Sequence, residues 1–304
     1  MTAVTPLTTG PEVTPKQLSA AEVAKKKLSS PWASLAAIVI AVLWTIPTFG
    51  LLVSSFRPER AIKRTGWWTF FSDPQVTLDN YKAVFGEGGG VNMADFFVNS
   101  LVICIPSVLV PLALASLGAY AFAWIEFRGK NILFLAIFAL QIVPLQVTLI
   151  PLLEIFVKIH ITGTFWTLWL AHSTFALPLA IYLLHNFMRE VPAGLIEAAR
   201  VDGAGHVSIF FKVMLPLLTP ALAAFGIFQF LWVWNDLLVA LVFAGGGDDV
   251  APITLALANL SGTRGTAWQL LSAGAFVSIV VPVLVFLLLQ RYFVRGLLAG
   301  SVKG

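Results

Sequence analysis

The chain has 304 residues, of which 58% are hydrophobic and 11% are charged, whereas soluble domains average about 45–50% apolar and about 25% charged residues. Fifteen acidic and nineteen basic residues are too few to cover a water-facing surface of this size, which excludes an ordinary soluble protein. The single cysteine, Cys104, excludes a disulfide scaffold and a Cys-based metal site, and the four histidines are scattered. Because Lys and Arg lie between apolar runs, the net charge of +4 does not indicate a nucleic-acid binder.

Six apolar runs dominate the sequence, and each is about as long as the roughly 20 residues that a helix needs to cross a bilayer. They cover residues 33–55, 97–124, 131–153, 164–187, 217–243 and 270–290. The period-2 alternation that a membrane barrel requires is absent from these runs. Helices satisfy their own backbone hydrogen bonds, which lipid cannot do. The sequence therefore predicts an all-α polytopic membrane protein with six transmembrane helices.

The distribution of basic residues predicts the orientation of these helices. If the N-terminus is cytoplasmic, twelve of the nineteen Lys and Arg residues fall in inside segments and seven in outside segments, as the positive-inside rule expects. Five of the seven lie in the first outside loop and are the exception to the pattern. The first run is too long for a signal peptide, and no small-residue cleavage site follows it promptly. We expect both termini to be cytoplasmic.

The chain divides into three parts on this interpretation. Residues 1–31 lack an apolar face and form an N-terminal cytoplasmic tail, residues 32–293 form a six-helix transmembrane domain, and residues 294–304 form a C-terminal cytoplasmic tail. Three glycines near the end predict a tail without regular helix: Gly296, Gly300 and Gly304.

The longest cytoplasmic connection, residues 188–216, predicts two short amphipathic helices joined by a sharp bend. Pro192 suits the first turn of a helix, Gly203 suits the left-handed position that ends one, and a second helix is expected from about Ser208. The apolar side of the first helix would be formed by Leu195, Ile196, Ala199 and Val201. A carboxylate at Glu197 that pairs with a basic partner and a helix that lies on lipid headgroups remain alternatives.

Asp236 is the one acidic residue well inside an apolar run. Intramembrane carboxylates are costly and usually face the bundle interior or a water-filled cavity. The neighbouring Trp232 and Asn235 offer a stacking surface and an amide, the chemistry that a hydroxyl-rich ligand uses. These three residues are candidates for a translocation path. The alternative places Asp236 near the outer headgroups, with the tryptophans as part of an interfacial belt.

The connecting segment carries a family motif. Glu197-Ala198-Ala199, three residues, Gly203, nine residues and then Val213-x-Leu215-Pro216 resembles the EAA loop of permease subunits in binding-protein-dependent ATP-binding-cassette (ABC) importers. The six-span layout and the Trp-Asn-Asp run at 234–236 also fit, so the resemblance covers nearly the whole chain. The C-terminal segment 296–304 is similar to the carbohydrate-importing branch, which includes the smaller maltose permease, and the segment 44–57 resembles α-glucoside permeases.

The resemblance implies a type I ABC importer transmembrane-domain fold and a set of site residues. The EAA loop of such importers forms a coupling helix that docks on a cytoplasmic ATPase. Glu197 would then pair with a basic ATPase residue, Ala198 and Ala199 would allow close approach, and Gly203 would permit the bend. Asp202 completes the set of coupling candidates.

The same resemblance implies partners and a location. A second permease would complete a heterodimer, two ATPase subunits would bind it from the cytoplasm, and an extracytoplasmic solute-binding protein would deliver a sugar, an α-glucoside or other oligosaccharide. The location would be a bacterial or archaeal plasma (inner) membrane, in contact with lipid and with no nucleic-acid partner.

Absent motifs limit the chemistry of the chain. No G-x-x-x-x-G-K-[ST] phosphate loop occurs, since Gly129-Lys130 is followed by Asn131. We therefore expect a non-catalytic subunit without a cofactor or metal of its own, with ATP and Mg²⁺ bound by the partner ATPases. An ion-coupled secondary transporter would need more buried ionisable groups, and an intramembrane enzyme would need paired carboxylates or a metal cluster at depth. A structural anchor for another complex is the third rival.

Overall fold

The computed structural model describes residues 31–87, 92–261 and 267–301, with side chains described for 31–87, 92–260 and 267–290. The described backbone is helical apart from turns and one isolated bridge between Phe85 and Asn92, and no strand is formed within it. The predicted N-terminal tail, except Pro31, and the last three residues lie outside the described residues. Contacts between Cα atoms divide the chain into two units, residues 1–51 and residues 52–304.

The described part of the first unit is one helix. It belongs to α1, Pro31–Ser55, which contains no charged residue and has Pro47 in its interior. A 25-residue helix is long enough to cross a hydrocarbon core about 30 Å thick. The first predicted span is therefore present in the structure.

The second unit begins with a compact loop that contains α2, Glu59–Arg64, a 3-10 turn, Trp67–Phe71, and α3, Asp79–Val84. Arg57 is buried, and its guanidinium donates to the Gly66 carbonyl oxygen over 2.7 Å. It also donates to the hydroxyls of Thr65 and Thr69. One of the five basic residues that break the charge pattern therefore serves the internal structure of this loop.

Two long helices pack along each other in the second unit, namely α4, Met93–Trp124, and α7, Phe165–Glu190. They form the most extensive helix pairing of the described chain. Buried alanines of both helices belong to one apolar cluster: Ala115, Ala119, Ala176 and Ala180. Small residues let helix backbones approach closely. At Gly118, an added Cβ would lie 3.6 Å from the Ile181 side chain.

Two of the predicted spans are broken. The run 131–153 forms α5, Lys130–Leu140, and α6, Leu145–Lys158, which are bent by 102°. The run 217–243 begins at the last residue of α9, His206–Leu217. It continues after a 70° bend as α10, Thr219–Trp234. A separate helix, α11, Leu238–Phe243, ends the run.

Proline chemistry accounts for the breaks. Pro144 precedes α6 and has extended backbone angles, and proline also disfavours helical angles in the residue before it. Pro220 has no N–H to donate to the carbonyl of residue 216, one turn earlier. Four described helices are long and apolar enough to cross a membrane, or up to six if each bent pair counts as one span. The predicted number of six spans is reached when each bent pair is counted as one span.

The described chain ends in two further helices, α12, Ile253–Ser261, and α13, Trp268–Ser301. The helix α13 continues through Gly296 and Gly300, so the expectation of a non-helical tail is wrong as far as Ser301. A glycine in a helix costs only about 1 kcal/mol relative to alanine, and the leucines and alanine between these two glycines are good helix formers.

Candidate functional site

The connection between α7 and α10 holds the EAA-like motif, and its first part is a helix with defined ends. The helix α8, Ala193–Val201, begins after Pro192. The Gly203 N–H donates to the Arg200 carbonyl and the Ala204 N–H to the Ala199 carbonyl, each over 2.9 Å. Gly203 has a φ of +81°. These two bonds and the positive φ define a Schellman C-cap, which confirms the left-handed role predicted for Gly203.

Only one narrow side of α8 faces the bundle. Ile196 is 2% exposed, and Ala199 is half-buried one turn later. Leu195 is 49% exposed and Val201 is 87% exposed. The expectation that these two residues belong to the inner apolar side is wrong, because a nine-residue helix with one buried stripe turns its other positions outward.

The residues of the predicted coupling motif, apart from Ala199, lie on the outward side. Glu197, Ala198, Asp202 and Gly203 are exposed, and Ala199 is half-buried. A Cβ added to Gly203 would meet no atom within 4 Å. The structure therefore brings these residues together at one accessible surface, which we call the motif face. A carboxylate pair and small side chains on such a face suit close contact with a basic partner surface.

The second part of the connection is anchored in the bundle. The helix α9 begins at His206, two residues earlier than predicted, and includes a π-helical turn, Phe210–Met214. Apolar residues from this segment and from the two long helices form one buried cluster: Tyr120, Leu184, Met188, Ile196, Ile209, Phe210 and Met214. The motif face is thus attached to α4 and α7 through a continuous apolar contact.

Asp236 lies among α7, α10, α11 and α12, and its oxygen atoms contact groups of the protein itself. Its carboxylate oxygens accept the Val239 N–H over 3.3 Å and the Ala240 N–H over 3.1 Å, at the start of α11. Its backbone carbonyl accepts the Thr254 hydroxyl of α12. The His172 Nε2 of α7 is 3.9 Å from one carboxylate oxygen. The carboxylate therefore caps α11, and the backbone carbonyl of the same residue holds α12 beside it.

The other two candidates for the translocation path, Trp232 and Asn235, differ in their surroundings. Trp232 is 37% exposed and lines a narrow cleft with His172, Gln229 and apolar side chains. Asn235 is exposed, and its side-chain amide donates to the Leu231 carbonyl of its own helix over 2.7 Å. The structure thus brings Trp232 and Asp236 close to His172, while Asn235 remains at the helix end.

Sequence reasoning did not include Gln229 or His172 among the candidate site residues. The side chain of Gln229 is 1% exposed, and its amide nitrogen donates to the Ser107 carbonyl of α4 over 3.3 Å. An amide within an apolar run was a signal for Gln229, because polar side chains in membrane helices tend to face other helices. His172 is also buried.

Comparison with known proteins identifies the class to which this fold and motif face belong. Residues 112–298, more than half of the chain, match the family described as "Binding-protein-dependent transport system inner membrane component". The chain belongs to this family. The resemblance to permeases of carbohydrate ABC importers is thereby confirmed, and the protein is a multi-pass inner membrane component of an ABC transport system.

Two relatives are similar over most of their length. An osmoprotective compounds uptake permease protein of Synechocystis sp. is 53% identical over 273 residues, covering 88% of this chain and 91% of the relative. An alpha-glucoside transport system permease protein of Rhizobium meliloti is 49% identical over 258 residues, covering 83% of this chain and 67% of the relative.

Solved structures confirm the type I importer fold. A chain from a bacterial ABC transporter involved in the import of the acidic polysaccharide alginate superposes with a TM-score of 0.69 at 19% identity. The match covers 92% of this chain and all of that chain. The alginate transporter in complex with a pentasaccharide-bound periplasmic protein gives a TM-score of 0.59 at 13% identity, over 88% of this chain and 95% of that chain.

Proposed function

We propose that this chain forms, with a second permease, the translocation path of a sugar importer and couples it to ATP hydrolysis through residues 188–216. The observation that carries the proposal is the arrangement of the motif face: Glu197 and Asp202 are exposed, while Ile196, directly before Glu197 in the sequence, is buried in the bundle. A surface built in this way can receive a partner on one side and pass its displacement to α4 and α7 on the other.

The proposed coupling is mechanical. Closure of the two ATPase subunits on ATP moves the docked motif face, and the apolar cluster beneath it carries the movement into the long helices. Packed helix interfaces switch between discrete arrangements and do not deform continuously. The bundle then opens alternately to the two sides of the membrane. ATP and Mg²⁺ are bound by the ATPases, and this chain performs no covalent chemistry.

The partners and the topology follow from the same proposal. A solute-binding protein delivers the substrate from the extracytoplasmic side, which the family description and the alginate complex with its periplasmic protein support. The motif face and both termini lie in the cytoplasm. The excess of Lys and Arg in the inside segments supports this orientation.

The substrate class is an α-glucoside or another oligosaccharide. The names of relatives support it, since they include permeases for alpha-glucosides and for arabinooligosaccharides. We place Trp232, Asn235 and Asp236 beside the path, where an indole face and polar groups suit a sugar. Trp232→Ala is expected to raise the KM of uptake in reconstituted importer, whereas Trp232→Phe, which keeps an aromatic face, should raise it less.

The central test uses the assembled importer in proteoliposomes with radiolabelled sugar and a parallel ATPase assay. Glu197→Gln is expected to lower ATP-driven uptake and binding-protein-stimulated hydrolysis together, because the docking carboxylate is lost. Glu126→Gln is the matched control, since Glu126 is an exposed carboxylate that pairs with Lys130 within its own segment. Uptake that persists without ATP and follows an ion gradient would contradict the proposal and favour a secondary transporter.

A further inference from the structure

A polar contact joins residues 188–216, which we call the coupling segment, to the core of the bundle. Tyr120 lies in the last third of α4 and is 4% exposed. Its hydroxyl is 3.1 Å from the Nδ1 atom of His206, the first residue of α9. The two rings also meet edge to face, with their centroids 6.0 Å apart. This contact spans two elements that are separated by 86 positions in the sequence.

Tyr120 also contacts the next turn of α9. Its ring meets Phe210 edge to face, with a centroid distance of 5.4 Å. One buried side chain of α4 therefore touches α9 at two points, by a hydrogen bond at the helix start and by an aromatic contact four residues later. These two contacts fix both the position and the direction of α9 against α4.

The hydroxyl group distinguishes Tyr120 from an ordinary core aromatic residue. A buried tyrosine hydroxyl normally requires a hydrogen-bond partner, and here the partner belongs to the coupling segment and not to a neighbouring membrane helix. His206 is exposed, so its ring has access to water and gains little by itself from the bond. The main effect of the bond is therefore to constrain the position of α9, since water can supply the hydrogen-bond partner of the His206 ring.

His206 lies directly after the bend of the coupling segment, so its bond to Tyr120 holds the segment at that point. His206 follows Gly203, where the chain reverses after α8, and Gly205, whose backbone is extended. A Cβ added to either glycine would meet no atom within 4 Å. The space around the two glycines is therefore open, and the Tyr120–His206 bond is the directional side-chain contact immediately after the bend.

We infer that Tyr120 is a positioning residue that transmits the movement of the coupling segment to α4 through its hydrogen bond to His206. The inference rests on the proposed function, in which the motif face is moved by the ATPases. Apolar contacts such as those of Phe210 can slide, whereas a hydrogen bond weakens steeply when its angle departs from linearity. A displacement of α9 is thus transmitted to α4, and from α4 to α7 through the packing along their length.

The test compares Tyr120→Phe with wild-type protein in the assembled importer, measuring ATP hydrolysed per sugar imported in proteoliposomes. The variant keeps the ring and its packing and removes only the hydroxyl. We expect the ratio to rise about fivefold, as expected for the loss of one hydrogen bond, while assembly with the ATPases is retained. Tyr182→Phe is the matched control, because Tyr182 of α7 makes ring contacts with Phe134 and Phe138 away from the coupling segment.

Variants of His206, the exposed partner of Tyr120, separate an effect on the transmission of movement from an effect on the stability of the protein. His206→Ala should raise the ratio as much as Tyr120→Phe, and the double variant should be no worse than either single variant, because both remove the same bond. His206→Asn, which retains an acceptor near the position of Nδ1, should restore most of the coupling. Wild-type ratios in Tyr120→Phe, or additive effects in the double variant, would overturn the inference while leaving ATP-driven uptake by the wild-type importer, and so the proposed function, intact.

Discussion

Gly203 illustrates how one backbone conformation shapes the coupling segment. Its φ of +81° lies in the left-handed region, which costs a residue with a Cβ roughly 1–2 kcal/mol. Space is not the obstacle, since an added Cβ would meet nothing within 4 Å. The requirement for glycine is therefore one of backbone conformation alone.

This requirement predicts the effect of substitution at Gly203. Gly203→Ala should weaken the Schellman bonds of residues 203 and 204 by about 1 kcal/mol and speed exchange of their amide hydrogens about fivefold. Hydrogen exchange of the purified protein, followed by mass spectrometry of peptides covering this turn, measures the change. Gly203→Asn is the control, because asparagine tolerates left-handed angles better than alanine. Equal exchange in Gly203→Ala and the wild type would contradict the role given to this residue.

At the scale of one helix, α8 is held to the bundle by a single buried stripe. Ile196→Ala removes a side chain that is 2% exposed and should cost about 2–5 kcal/mol of local stability. Trypsin cleavage after Arg200 then accelerates by a factor of roughly 30 or more, because the open population rises. Leu195→Ala, at a position that is 49% exposed, should change the cleavage rate little. Similar rates in the two variants would show that α8 is not anchored through Ile196.

A second element-scale prediction concerns the turn before α7 and the loop after α11. Gly163 and Gly245 both have positive φ, and a Cβ on Gly245 would lie 2.8 Å from the Gly163 Cα atom. Gly245→Ala should therefore lower the thermal unfolding midpoint more than Gly246→Ala. Gly246 has nearly the same φ but open space around its Cβ position, so the difference isolates the clash of about 1–3 kcal/mol. Equal midpoints would mean that the two turns do not touch.

The sequence predicts the elements of this protein better than their bends. Hydropathy located the apolar runs because length and composition decide whether a helix can cross lipid. Pro144 inside its run indicates a bend, but hydropathy does not give the 102° angle between α5 and α6, since the residues on both sides of Pro144 are equally apolar. Within the coupling segment, Pro192 and Gly203 marked the ends of α8 through local backbone preferences. Which side of α8 is buried depends on tertiary contacts, and so Leu195 and Val201 were misassigned.

The polar contacts between distant segments were not predictable from one sequence. Tyr120 and His206 are unremarkable in their local context, and only the fold brings them to 3.1 Å. The same holds for Asp236, whose position in an apolar run indicated a translocation path but whose carboxylate caps α11. Local patterns identify the residues that shape a helix, whereas pairing across the bundle requires the three-dimensional arrangement.

At the scale of the whole molecule, one chain combines a membrane bundle with an exposed surface that, in the proposed function, receives the movement of the ATPases. The family match covers residues 112–298, which include the C-terminal part of α4, all of α7 and the coupling segment between α7 and α10. The motif face is exposed, while the apolar cluster that anchors it lies within the bundle. In the proposed function the subunit is incomplete alone, because the energy source and the second half of the path belong to partners.

The most direct measurement is cross-linking from the motif face in intact membranes. Ala198→Cys places a thiol beside Glu197, and the native Cys104 is 1% exposed and should not react with aqueous reagents. A short thiol-to-amine cross-linker is expected to join position 198 to an ATPase subunit, whereas Lys158→Cys, at the exposed end of α6, should give no such product. A thiol at position 198 that fails to cross-link and is instead modified from outside the cell by a membrane-impermeant maleimide would contradict the account.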